Sequence, residues 1–237
     1  MKIEVVATAQ QVSEKLTEGK SVVVIDVLRA TSVITTALMN GSGAVFPVET
    51  IDEAEILFKS FDTGTALRGG ERAGKKIAGF EVGNSPLSYT SGIVSGKSII
   101  ITTTNGTKAI RNSQHANSLY IVCFLNLVYA SRLLAAKVND LVIVCSGTNG
   151  NFSLDDALCA GMLIDEIGKH TEIKTNDLGQ IVRSFYWQEG SIPEKLRNCT
   201  HLNYLLSIGY NADVDYCLQT HVYDCLPQLR SGGFITL

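Results

Sequence analysis

The sequence lacks the marks of several large protein classes. No apolar run approaches the roughly 20 residues that a membrane-spanning helix needs. The amino-terminal Met1-Lys2-Ile3-Glu4 carries an acid where a signal peptide would be apolar. We therefore expect a cytoplasmic protein with no membrane partner. There is no Lys/Arg cluster, and the formal net charge is −3, which argues against nucleic acid as the main partner. The six cysteines form no C-x-x-C pair, and Cys123 and Cys145 lie inside apolar runs, so buried free thiols are expected rather than disulfides or zinc ligands. No G-x-x-x-x-G-K-[ST] and no G-x-G-x-x-G after a strand is present, which disfavours ATP and NAD. The four histidines share no ligand spacing, none lies in a glycine-rich turn, and no G-x-S-x-G elbow appears. Neither a fixed-period repeat nor a low-complexity segment is found.

What the chain does contain is a globular composition, 237 residues with 45% apolar and 18% charged content, enough for one large or two small α/β domains. Apolar runs alternate with amphipathic stretches. Residues 2–8, 21–26, 44–48, 98–102, 119–124 and 141–145 read as strands, with a short strand at 66–68. Helices are expected over 9–18, 31–39, 52–60, 127–138 and 155–169, and from about 105 to 112. The alternation predicts an α/β fold with a largely parallel sheet and helices on both faces. Residues 73–91 form a connection long enough to be functional or disordered. Beyond Thr171 the pattern changes to a helical carboxyl-terminal extension, until Gly233 to Leu237 reads as an edge strand. A boundary near Gly92–Lys97 divides the chain into lobes 1–95 and 96–237, with one compact unit as the alternative.

Three apolar strands end in polar turns: Asp26 with Arg29-Ala30-Thr31-Ser32, Thr102-Thr103-Thr104 with Asn105-Gly106-Thr107, and Cys145 with Ser146-Gly147-Thr148-Asn149-Gly150. In a parallel sheet all three share one edge, where ligands of open α/β sheets collect. Glycine permits close backbone approach, and hydroxyls and free N–H groups suit phosphate or sulfonate oxygens. For any one turn an ordinary helix N-cap is the better reading; the three together, with Asp26 and Arg29 in one of them, argue for a site. The carboxylates Asp26, Glu71 in Gly-Gly-Glu-Arg, Glu81, and the pair Asp155-Asp156 are hard oxygen ligands of the kind Mg²⁺ takes. For Asp155-Asp156 alone, compensation of the helix dipole is the simpler reading. Arg68 and Arg72 flank Glu71 and are suited to an oxyanion, with a surface salt bridge as the alternative.

Val24-Ile-Asp-Val-Leu-Arg-Ala-Thr-Ser32, Gly69-Gly-Glu-Arg72, Gly79-Phe-Glu-Val-Gly-Asn-Ser-Pro86, Thr102-Thr-Thr-Asn-Gly-Thr107 and Ser153-Leu-Asp-Asp-Ala-Leu-Cys-Ala-Gly161 occur in this order, and together they resemble the 2-phosphosulfolactate phosphatase family. The resemblance departs at Asp155 and Glu81, where Glu and Asp are expected. It implies an α/β, Mg²⁺-dependent phosphatase that converts 2-phospho-3-sulfolactate to 3-sulfolactate, a step of coenzyme M synthesis. On that reading Asp26, Glu71, Asp155 and Asp156 hold the metal, and Asp26 and Arg29 are catalytic. Thr31, Arg68, Arg72, Asn84, Thr104, Asn105, Gly106, Thr107, Gly147 and Thr148 would contact a small substrate carrying phosphate and sulfonate or carboxylate. Backbone N–H groups of the turns at 105–107 and 147–150 are expected to face it. A metal-activated water is the first nucleophile considered and Asp26 the second; Leu28, two positions after Asp26, removes the acid that Asp-nucleophile phosphatases carry there. The alternatives are a phosphatase for a related phosphoester and a non-catalytic binding module for a sulfonated or phosphorylated acid. A homo-oligomer is also left open.

Overall fold

Val22, Val23, Val24 and Ile25 are all fully buried, yet they serve two different cores. Val23 and Ile25 pack on one face of the strand and Val22 and Val24 on the other, so the run needs no polar alternation. The computed structural model describes residues 1–236. In chain order the elements are β1 (Lys2–Val6), a 3-10 turn at Ala9–Gln11, α1 (Glu14–Thr17), β2 (Ser21–Ile25), α2 (Ala30–Met39), β3 (Ala44–Pro47) and α3 (Ile51–Phe58). Then follow β4 (Ala66–Arg72), β5 (Lys75–Lys76), a 3-10 turn at Pro86–Ser88, α4 (Ser91–Val94), β6 (Ser98–Thr102), α5 (Gly106–Asn112), β7 (Ser118–Ile121), α6 (Leu127–Lys137) and β8 (Asp140–Cys145). The chain closes with α7 (Leu154–Gly168), β9 (Lys174–Thr175), α8 (Asp177–Tyr186), α9 (Ile192–Leu196), α10 (Thr200–Ser207), α11 (Asn211–Cys217), β10 (Pro227–Arg230) and β11 (Gly233–Thr236). Helices α6 and α7 cover one face through Leu127, Leu134, Leu158 and Leu163, and α2 and α5 the other through Val33, Ile34, Ala109 and Ile110. The α/β class with helices on both faces is as the alternation predicts.

The strand order is β5-β4-β6-β3-β11-β10-β7-β2-β8-β1-β9. Strands β4, β6 and β3 form one parallel unit, and β7, β2, β8, β1 and β9 another. The hairpin β10–β11 lies between them, antiparallel to its neighbours at all three junctions. The sheet is therefore mixed, and the two parallel units run in opposite senses. In a flat sheet their carboxyl ends would lie at opposite edges. From β2 to β6 there are five strand-to-strand steps, and at about 20–25° each the twist accumulates to roughly 100–125°. That rotation brings the end of β6 round to face the end of β2. The β2 and β8 turns share one edge, as neighbouring parallel strands, and the twist brings the β6 turn round to meet them.

Several sequence expectations are corrected here. Gly233 to Leu237 is not an edge strand: β11 is internal, paired with β10 and, through Phe234–Val45, with β3, while Leu237 lies outside the described residues. Its partner β10 was not expected at all. The short strand at 66–68 runs on through Arg72, so Gly69 to Arg72 are strand residues, not a loop: Gly69 and Gly70 pair with β6, and Glu71 and Arg72 with β5. A side chain at Gly70, whose φ is +144°, would collide with the Thr102 carbonyl, so glycine is what lets β4 approach β6 so closely. The expected helix over 9–18 is a 3-10 turn followed by a single helical turn. The 73–91 connection is ordered, returning beside β4 through the Gly69–Val82 bridge and the Tyr89 hydroxyl, which donates to Gly83 O at 2.7 Å. Among the described residues no helix is long and apolar enough to cross a membrane, and the six cysteines are buried and free.

Candidate active site

Asp26 follows the last residue of β2 and is 6% exposed. Its Oδ1 accepts from the Ala30 N–H at 3.2 Å, and the Thr31 hydroxyl donates to its carbonyl at 2.7 Å. The Leu28–Arg29 peptide that follows is cis. A Cβ on Gly106 would lie 2.6 Å from Asp26 Oδ2, so the start of α5 can sit against the carboxylate only with glycine there. Glu71, on β4, accepts from Thr104 N at 2.8 Å and Gly74 N at 2.7 Å. Both carboxylates face one cavity of about 500 Å³, which also receives Arg29, Arg72, Asn84, Thr103, Thr104, Asn105, Thr148 and Asn149. This volume suits a small ligand.

The electrostatics follow from burial. Loss of water pushes the Asp26 carboxyl up to about 7; the Ala30 N–H draws it down, the charges of Asp155 and Glu71 raise it, and Arg29 opposes them. Burial, with the charges of Asp155 and Asp26, holds Asp156 well above its ordinary value despite N–H bonds from Val27 and Gly147. Two carboxylates, Asp26 and Glu71, face the cavity, and the charge of Asp155 adds to the field at Asp26, which favours its protonated form. Arg29 supplies one positive group: its Nη1 meets Asp213 Oδ2 at 2.5 Å and its Nη2 donates to Gly74 O at 3.2 Å.

Of the residues read from sequence, Asp26, Arg29, Glu71, Arg72, Asn84, Thr104, Asn105 and Thr148 line the cavity. The others do not. Asp156 lies behind the wall, accepting from Val27 N and Gly147 N at 3.0 Å each, and so ties the β2 turn to the β8 turn. Asp155 is also interior, taking a hydrogen bond from the Ser153 hydroxyl and facing His201 Nδ1 at 3.9 Å. Thr31 and Thr107 bond their own turns. Arg68, on β4, is held by Glu55 and Glu81 at 2.6 Å each and lies over the Phe58 and Phe80 rings, outside the cavity lining. The turn at 147–150 is equally committed internally: Gly147 N bonds Asp156, Thr148 N bonds Asn151 O and Asn149 N bonds Asn105 Oδ1. Thr107 N is taken by the Thr103 hydroxyl. Arg72 lines the cavity with its donors directed to Glu71 O, Glu49 O and the Thr102 hydroxyl.

His201, Tyr204 and Leu205 also line the cavity, all from α10 in the segment that carries no motif. Only the spacing 201–204–205, one helical face, could have drawn notice. Among the described residues no three His, Cys, Asp or Glu side chains are grouped closely enough to hold a metal ion by themselves. Oxygen donors among the lining residues include the Asp26 and Glu71 carboxylates and Asn84 Oδ1, a buried acceptor that meets no donor among the described residues.

The mixed α/β sheet turns two carboxylates and a buried guanidinium onto one small cavity, the candidate active site of an α/β protein. A family model described as 2-phosphosulpholactate phosphatase matches residues 6–232. A probable 2-phosphosulfolactate phosphatase of Caldanaerobacter subterraneus subsp. tengcongensis is 40% identical, over 98% of this chain and 97% of its own. Proteins of the same description from Clostridium perfringens (strain SM101) and Clostridium tetani are each 38% identical, over 100% and 98% of this chain and 97% and 99% of theirs. The chain belongs to the 2-phosphosulpholactate phosphatase family, hydrolases that act on a phosphoric monoester.

Proposed function

We propose that the protein is a Mg²⁺-dependent phosphatase that hydrolyses 2-phospho-3-sulfolactate to 3-sulfolactate and inorganic phosphate. The observation that carries this reading is the shared cavity of Asp26, Glu71 and Arg29. Mg²⁺ is content with one or two carboxylates, keeping waters and taking substrate oxygens for the rest. Asp26 and Glu71, with the unpaired Asn84 Oδ1, would hold it; Asp155 and Asp156 would act from behind, through charge and by fixing the turns. When bound, Mg²⁺ supplies a Lewis acid that neutralises charge on the phosphoryl oxygens.

The chain's own residues supply orientation. Arg29 directs its remaining N–H groups at the transferred phosphoryl group, where positive charge is most useful as the bond to the C2 oxygen lengthens. Water attacks phosphorus, the phosphorus–oxygen bond to C2 breaks, and that oxygen takes a proton. The donors at the α10 side, His201 among them, meet the carboxylate and sulfonate end. The test is phosphate release from 2-phospho-3-sulfolactate with Mg²⁺ and with chelator. Turnover is expected only with Mg²⁺, and Asp26→Asn should lower it, with extra Mg²⁺ restoring part. Full activity of Asp26→Asn at limiting Mg²⁺ would sink the assignment.

A further inference from the structure

Arg29 is held more firmly than an anion-binding arginine requires. Its side chain is 2% exposed and that of Asp213, on α11, 6%. Asp213 Oδ2 takes the Nη1 edge, Gly74 O takes Nη2, and the Tyr210 ring lies 3.9 Å from the guanidinium carbon. Two in-plane partners and one stacked face fix the plane of the group. The second oxygen of Asp213 is fixed in turn, accepting from the Ser85 hydroxyl at 2.7 Å. None of Ser85, Tyr210 and Asp213 lines the cavity.

A free arginine in this place would have other partners. Asp26 and Glu71 face the same cavity, and among the described residues neither forms an ion pair with a side chain, so a flexible guanidinium would swing onto either and fill the space before a ligand enters. We propose that Asp213 is a positioning residue: together with Ser85 and Tyr210 it restrains Arg29 from the two cavity carboxylates and aims its free N–H groups at a bound oxyanion. The carboxyl-terminal helices thereby set anion recognition for a site built mainly by the strand ends. The competing account is a buried ion pair that serves stability alone, as many do.

The inference rests on the proposed phosphatase reading for its setting, but its test reads binding. Calorimetric titration of the full chain with 3-sulfolactate and with inorganic phosphate compares wild type, Arg29→Lys, Ser85→Ala, Asp213→Asn and each of the last two combined with Arg29→Lys. Arg29→Lys should weaken anion binding roughly tenfold or more, because lysine has no planar fork to be held. Ser85→Ala and Asp213→Asn should each weaken it in the wild-type background and add nothing in the Arg29→Lys background. If Asp213→Asn fails to fold, Ser85→Ala and Tyr210→Leu carry the test, since neither leaves a buried charge unpaired. Additive losses, or a fall in thermal midpoint with unchanged affinity, overturn the proposal, as does a wild type that binds neither anion. A wild type that binds both but releases no phosphate from the phosphoester overturns the phosphatase reading and leaves the positioning role standing.

Discussion

Asp26 is placed where a carboxylate is costly, and the cost has a measurable sign. Its carboxyl rises from the ordinary 3.8 to about 7 in the fold, chiefly through burial. Below 3.8 it is protonated whether the chain is folded or not, and it has no effect on stability. Between 3.8 and 7 the unfolded chain loses the proton while the folded one keeps it, so stability falls as pH rises, by roughly 4 kcal/mol in all, and the penalty is complete above 7. In chelator, Asp26→Asn should therefore be more stable than wild type at pH 8 and little different at pH 4, by urea denaturation, while losing turnover. A wild type whose stability does not decline over that interval would refute this reading of Asp26.

Arg68 gives the contrasting case. It reads from sequence as an oxyanion clamp because it flanks Glu71, but its guanidinium donors are taken by Glu55, Glu81 and the Gly79 carbonyl, away from the cavity. Arg68→Ala should lower the thermal midpoint, by on the order of 1–2 kcal/mol of stability for the lost stacking and ion pairs, and leave kcat/KM within about twofold, since nothing in its surroundings reaches the cavity. Sequence could mark Asp26, Arg29 and Glu71 because polar groups interrupt apolar or glycine-rich runs. It could not tell donors that face a ligand from those bonded internally, such as Gly147 N and Thr148 N, because that depends on which residues fold back beside them.

At the scale of elements, β2, β6 and β8 were legible because burial on both faces leaves an uninterrupted apolar run. The hairpin β10–β11 was not. Pro227-Gln-Leu-Arg230 is short and half polar, and its only local signal is Ser231-Gly232, whose φ values of +49° and +83° suit a tight two-residue turn. Yet this hairpin joins the two parallel units, and Phe234 is its anchor, fully buried in the core of Val22, Val24, Val33 and Val45. Phe234→Ala should cost about 3–5 kcal/mol, seen as a lower urea midpoint. A change below about 1 kcal/mol would mean that the two units hold together without the hairpin.

At the scale of the whole molecule, the cavity gathers, besides the β8 turn, three regions far apart in sequence: the end of β2, the end of β6 with Glu71 on β4, and α10. Their meeting depends on a sheet that reverses sense through the hairpin and then twists far enough to bring the two sets of strand ends face to face. Neither operation leaves a motif; each arises from pairing and accumulated rotation. A ligand that bridges all three regions should hold them together. Saturating 3-sulfolactate at 100 times its Kd adds about 2.7 kcal/mol by mass action. Hydrogen exchange should then slow together at 26–31, 103–106 and 201–205, because local opening of any one of them would break the same ligand contacts. Protection confined to the β2 turn would instead mean that the ligand is held by one parallel unit and that the twist serves only to close the fold.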